Sequence, residues 1–306
     1  MRQPWGRTKA WSASPIGGRP PVHSVEAKLL VAGSCTHPEH VVHRNLRLGS
    51  MRFPATFAVI RHPDHGVILY DTGYSTHFLK ATSKLPERLY RWVTPVSIPE
   101  DQTAAAQLRS LGIEPEEVAM IILSHFHADH VGGLVDFPTA RFLFLEDAWN
   151  AVRNLRGIAA LRKGFLPALL PDDFAKRGQI VSTNRPVRLP SVLDPFAHGH
   201  DIFGDETLYA VELDGHAFGQ MGLALRRPSG AYWFLVADAC WTSRCYQERI
   251  APHPVTRILF NNTREYKATL ARIADLAERN PEVQIIPAHC EETLNDLSGA
   301  SASFGS

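Results

Sequence analysis

The sequence predicts an α/β protein on three observations. Short apolar runs suited to buried strands recur along the chain, and stripes of helical period lie between several of them. Several of these runs end at a histidine or an aspartate, and open α/β sheets gather their ligands at the carboxyl ends of strands. With 306 residues, 44% of them hydrophobic, the chain can bury a core large enough for one large domain or two ordinary ones.

Residues 1–23 hold Pro4, Pro15, Gly17, Gly18, Pro20 and Pro21 without apolar periodicity and read as a flexible N-terminal arm. Val25 to Val31 mostly alternates, as a half-buried strand does, and residues 33–43 after it read as a loop. Phe53 to Ile60 and Gly66 to Tyr70 suit two strands joined by the turn at 63–66. Asp71 then ends the second strand, either as a simple turn residue or as the orienter of a ligand histidine. Asp101 can cap a helix carrying Ala104, Leu108 and Leu111 on one face and stopping at Gly112. Val118 to Leu123 and Arg141 to Leu145 are the next strands.

Residues 146–200 break this alternation. A helix from Glu146 to Arg156 gives way to apolar residues punctuated by Gly164, Pro167, Pro171, Gly178, Pro186, Pro190 and Pro195, which reads as a helical and loop insertion covering a site. Its Trp149, Leu155, Phe165, Leu166, Leu169 and Phe174 either wall an apolar pocket or form the insertion's own core. Strands resume at Leu208 to Leu213, Ala231 to Ala237 and Val283 to Ile286, with a helix over Tyr266, Leu270, Ile273 and Ala277 between the last two. The domain is expected to span 24–295, followed by a flexible tail over 296–306.

The informative segment is Ser124-His125-Phe126-His127-Ala128-Asp129-His130. Imidazole is the commonest metal-binding side chain, and ordinary packing rarely needs four metal-capable groups in six residues. If the strand conformation persists, His125 and His127 share a face and can reach one ion. Asp129 and His130 follow as the chain turns at Val131-Gly132-Gly133, and after a bend they can face a second. The alternative of a histidine-rich surface loop leaves unexplained why His216, Asp238 and His289 each stand just beyond an apolar strand.

Bulk charge narrows the partners. There are 32 Lys and Arg against 31 Asp and Glu, a formal net charge of +1. That balance gives no electrostatic case for nucleic acid or an anionic membrane as a general partner. No apolar run is long enough to span a bilayer, and the start has no signal-like apolar region, so a cytoplasmic location is expected. Cys35, Cys240, Cys245 and Cys290 lack disulfide-framework or zinc-knuckle spacing and are expected to be reduced.

The pattern His-x-His-x-Asp-His followed by a later His, a later Asp and a final His resembles the metallo-β-lactamase superfamily over roughly residues 25–292. The resemblance implies a four-layer αββα sandwich. It implies that His125, His127 and His216 hold one metal, that Asp129, His130 and His289 hold a second, and that Asp238 bridges them. The ions would be zinc, with iron, manganese and cobalt equally suited to these ligands. A bridging hydroxide would attack an ester carbonyl, and either Asp129 or a metal-bound water would pass a proton to the leaving group.

Within the superfamily the chain is most similar to the N-acyl homoserine lactonase-like branch, by Gly33-Ser34-Cys35, the complete set of ligands and the insertion. That branch carries a catalytic tyrosine three positions after the bridging aspartate. Here the position is Trp241, so either Tyr246 substitutes or the substrate is another ester. The expected partner is a small lactone or ester, with no nucleic acid and no membrane, and a homodimer is allowed. The alternatives are a glyoxalase II-like thioesterase, a phosphodiesterase and a non-hydrolytic di-iron redox protein.

Overall fold

The computed structural model describes residues 24–42, 49–181, 185–258 and 260–301. The N-terminal arm over 1–23 and residues 302–306 lie outside the described residues.

Among the described residues thirteen strands form two sheets. They are β1 (Glu26–Pro38), β2 (Ser50–His62), β3 (Gly66–Tyr70), β4 (Val96–Ser97), β5 (Val118–Ile122), β6 (Arg141–Phe144), β7 (Gly178–Ile180), β8 (Val187–Arg188), β9 (His198–Asp201), β10 (Leu208–Glu212), β11 (Met221–Arg226), β12 (Tyr232–Ala237) and β13 (Gln284–Pro287). The first sheet runs β4-β1-β2-β3-β5-β6-β7 and the second β13-β12-β11-β10-β9-β8. Both are mixed. β1, β2 and β3 form an antiparallel meander, after which β3, β5, β6 and β7 lie parallel. In the second sheet β12 and β13 are parallel, while β10, β11 and β12 alternate in direction. One hydrophobic core extends from Val25 to Ile286 and takes side chains from both sheets.

Several strands run near the bounds their apolar patterns give, and the departures have local causes. β1 continues through residues read as a loop, because Ser34 to Pro38 pair with Ser50 to Pro54 beyond a register shift after Val31. Gly33 at that bulge has φ +72°, a conformation that glycine adopts without a Cβ penalty. The helix expected from Asp101 begins later, as Ala104–Ser110, and its cap is Thr103, whose hydroxyl accepts the Ala106 N–H. Asp101 sits in the preceding short 3₁₀ turn.

The helix expected over 146–156 stops at Val152. The insertion is more ordered than mixed helix and loop, since it supplies strands to both sheets: β7 at the edge of the first, β8 at the edge of the second with β9 beside it. Phe165, Leu166, Leu169 and Phe174 are buried. Phe165 and Phe174 pack with Phe126, and Phe174 also stacks on Phe142 and Phe144, so these side chains are core. The chain after 295 does not begin as a loose tail, because the helix Glu291–Ser301 runs through it.

Candidate metal centre

Strand ends from both sheets meet at one edge. β5 leads into Ser124 and His125, and a short helix, Ala128–Val131, turns Asp129 and His130 back toward the same point. β10, β12 and β13 end just before His216, Asp238 and His289. A register shift between Leu235 and Ala237 and the left-handed conformation of Ala237, φ +46°, set the direction in which Asp238 leaves its strand.

The ligand-capable atoms fall into two groups. His125, His127, His216 and Asp238 have theirs within 4.8 Å of one another, and so do Asp129, His130 and His289. Asp238 faces both groups. Its Oδ2 lies 3.2 Å from His216 Nε2, and its Oδ1 lies 3.2 Å from His130 Nε2 and 3.1 Å from His289 Nε2. Asp129 Oδ2 lies 3.4 Å from His289 Nε2 and 3.8 Å from His130 Nε2. His127 Nδ1 lies 3.0 Å from His216 Nε2. The structure therefore brings together all seven residues singled out in the sequence.

A hydrogen-bond chain behind the histidines fixes which nitrogen faces the cluster. Asp71 accepts the Ser124 N–H at Oδ1 (2.8 Å), and at Oδ2 it accepts the Ser124 hydroxyl (2.7 Å) and His130 Nδ1–H (2.8 Å). With its proton given to Asp71, the Ser124 oxygen accepts His125 Nδ1–H at 3.0 Å. His289 Nδ1–H donates to the Pro54 carbonyl at 2.8 Å. In each case Nδ1 is engaged from behind and Nε2 is the nitrogen that faces inward, offering its lone pair once the ring is neutral, the arrangement in which an outer partner orients a metal-binding histidine. His125 Nε2, His130 Nε2 and Asp238 Oδ1 are buried without a hydrogen bond. Buried acceptors aimed at one another are costly unless a cation sits between them, so this donor set fits divalent ions.

The electrostatics agree. Burial, together with neighbouring histidines, pushes His125 well below its usual range, and burial pushes His216 down to about 3. Both are therefore neutral, as ligands must be. Burial alone would also lower His130 and His289. The facing carboxylates of Asp129 and Asp238, with Asp71 beside His130, outweigh it and raise both. Burial would raise Asp238, but His289, His216 and His130 hold it well below the carboxylate range.

Tyr246 lies on the helix Ser243–Gln247, where burial and then Cys240 and Cys290 push its phenol up to about 12. Trp241 contacts the cluster: its Nε1–H donates to Asp238 Oδ2 at 3.2 Å, and its ring lies edge-on to His216. Tyr90, which the sequence did not bring forward, is partly buried against the core, and desolvation first and then the Asp129 charge raise its phenol. Gly164 could not have been found from spacing; its carbonyl accepts the Ala128 N–H, and it faces the His127 ring.

A cavity opens beside His127 and His216. Phe126, Ala148, Ala151, Val152, Ala217 and Phe218 wall it, and Lys163 and Asn261 are its other polar groups. The insertion thus contributes through Ala148, Ala151, Val152 and Lys163, while Trp149 packs on Phe126, Phe144 and Phe174. A third group of ligand-capable residues, His62, His65 and Asp205, sits away from this edge. Its His62 is already satisfied, accepting the Asp64 and His65 N–H groups at Nδ1 and contacting Asp205 and Thr207 through Nε2.

Two mixed sheets flanked by helices, with paired histidine and carboxylate clusters at their edge, define a metal-dependent hydrolase. The chain belongs to the metallo-beta-lactamase superfamily, whose sequence pattern matches residues 52–229. It is 28% identical over 267 residues to the N-acyl homoserine lactonase AttM of Azorhizobium caulinodans, covering 85% of this chain and 91% of that protein. It is 25% identical over 248 residues to the N-acyl homoserine lactonase AiiB of Agrobacterium fabrum, covering 78% and 80%. Among solved structures, an N-acyl homoserine lactone hydrolase with N-hexanoyl-L-homoserine at its catalytic metal centre superimposes with a TM-score of 0.65 at 16% identity, covering 90% of this chain and 96% of that one. The fold is thus the αββα sandwich of the superfamily, and its clusters are built for divalent metal ions.

Proposed function

We propose that this protein is a dinuclear hydrolase that opens a lactone or a related carboxylic ester. His125, His127 and His216 would hold one ion, Asp129, His130 and His289 the other, with one oxygen of Asp238 toward each. The observation that carries the reading is that single carboxylate, with its two oxygens about equally far from histidines of the two clusters. Zinc is the expected metal, and iron, manganese or cobalt would suit the same donors. Bound there, a pair of divalent ions supplies Lewis acidity to an ester carbonyl and a water acidic enough to ionise near pH 7.

The rest of the work falls to the chain. Asp129, 9% exposed at the rim of its cluster, is placed to move a proton to the departing alkoxide. The apolar cavity beside His127 and His216 takes the acyl portion, and Trp241 holds Asp238 in place. Lactonase activity in the AttM and AiiB relatives favours lactones within the ester class. A screen of the metal-loaded protein against N-acyl lactones, simple esters, thioesters and phosphodiesters tests this. Lactone or ester turnover that stops on chelation is expected; turnover of thioesters or phosphodiesters alone would overturn the reading.

Two further outcomes follow from the geometry. A Cβ on Gly164 would stand 2.7 Å from His127 Cδ2, at a backbone φ of +61° that already disfavours a side chain. Gly164→Ala should push the His127 ring aside and weaken one ion about 10- to 100-fold, as when a metal site loses a supporting contact. Stepwise metal analysis should show the Asp129, His130 and His289 ion retained.

The two ions should also differ in proton release. In the metal-free protein His130 and His289, raised above their usual value, still carry protons where His125, His127 and His216 carry none. Metal must displace those protons, so loading of the Asp129 side should weaken more steeply as pH falls. Indicator titration with successive metal equivalents would show it, and equal proton release for both ions would contradict it.

A further inference from the structure

The short helix Arg88–Val93 is inverted for a globular protein. Tyr90 is its inward side chain, edge-on to Phe78, whereas Leu89, Trp92 and Val93 face solvent at 40%, 60% and 72% exposure. Leu85 before it is 64% exposed and Leu79 is 37% exposed. Ile158, 48% exposed, belongs to the insertion helix Gly157–Leu161, whose first residue lies against Pro86. Apolar exposure concentrated in this way marks a binding surface.

Charge says what kind of surface it meets. Between Leu79 and Val93 stand Lys80, Lys84, Arg88 and Arg91 against Glu87 alone, in a chain whose overall charge is close to neutral. None of the four cations has an ion-pair partner among the described residues, and the Arg88 guanidinium lies over the Trp92 ring, 5.7 Å from its centroid. A two-fold contact between copies would set this basic patch against itself, which like-charge repulsion opposes. A neutral substrate tail would leave the cations without a role. Exposed Trp and Leu among Lys and Arg are the composition of a segment that lies in a membrane interface.

We propose that the Leu79–Val93 segment, with Ile158, docks the protein on an anionic lipid surface. Among the described residues no helix is long and apolar enough to cross a membrane; the docking proposed is on the surface of one leaflet. The proposal rests on exposure and charge and stands whether or not the ester reading does. It revises the expectation drawn from whole-chain charge, because a neutral total conceals a local excess.

The test is flotation of the full chain with vesicles of phosphatidylcholine alone and of phosphatidylcholine containing phosphatidylglycerol. Binding to the anionic vesicles, weaker on neutral ones and reduced by salt, is expected. Lys84→Glu with Arg88→Glu should cut anionic-vesicle affinity about tenfold or more. Leu89→Glu with Trp92→Glu should abolish insertion, and both double variants should keep the parental melting temperature and metal content. No binding at low salt, or parental binding by both double variants, would overturn the proposal. So would failure to bind vesicles together with a dimer that Leu89→Glu with Trp92→Glu dissolves, because a second copy would then be the occupant.

Discussion

Asp238→Ala should abolish metal retention and hydrolysis together, with kcat/KM falling on the order of 10³-fold or more. The side chain is 4% exposed, so no solvent group can replace it, and its two oxygens face His216 on one side and His130 and His289 on the other. On the proposed assignment its removal would take a ligand from both ions at once, and it leaves Trp241 Nε1–H without its acceptor. The metal-free variant should also be less stable. The raised His130 and His289 owe part of their charge to Asp238, and a buried charge that loses its partner costs about 3 kcal/mol or more. Asp238→Asn keeps the shape, loses the charge and leaves one oxygen, so it should retain one ion better than the alanine variant does. Metal counts after gel filtration, read beside initial rates, check both variants. Full activity in Asp238→Ala would remove the shared carboxylate from the mechanism.

That Asp238 gathers with the histidines at one edge was legible in the sequence, and the reason is geometric; its bridging role came only with the family resemblance. β5, β10, β12 and β13 are apolar enough to be recognised as strands, and a residue just past a strand end can point only into a small region. Ordering His125, His216, Asp238 and His289 along the chain therefore also ordered them in space. The two-sheet architecture was not legible from periodicity, because the edge strands β4 and β7 pair with β1 and β6, distant from them in sequence, and the short β8 and β9 hold together through their pairing with each other and with β10. The resemblance supplied what local pattern could not.

The supporting groups divide in the same way. Ser124 adjoins the motif and could have been suspected, whereas Gly164 acts through a backbone carbonyl and through the room it leaves for His127. No side-chain pattern encodes that. Trp241 was visible as a departure from the lactonase pattern, but its bond to Asp238 needed coordinates. The exposed stripe at Leu89, Trp92 and Val93 has an ordinary helical period. Period alone does not say which face of a helix is buried.

Asp71→Asn should remove the ion held by Asp129, His130 and His289 while leaving the fold intact. Asp71 is 1% exposed, has φ +59° and accepts all three donors that point at it. Asparagine tolerates that left-handed backbone, and its carbonyl can still accept the Ser124 N–H. Its NH₂ group would then face His130 Nδ1, which can meet a donor only by giving up its proton. The proton moves to Nε2, and the nitrogen that pointed its lone pair at the cluster becomes a donor. Metal affinity on that side should fall about 10- to 100-fold with little change in melting temperature. Asp71→Ala differs: it keeps the left-handed backbone without a polar side chain and buries the Ser124 N–H unpaired, so about 2 to 5 kcal/mol of stability should go as well. Chelator competition read beside thermal melts separates the two outcomes. If Asp71→Asn held both ions at parental affinity, the orientation of His130 would not depend on the Asp71 carboxylate, and the case for a tautomer set from behind the site would fail.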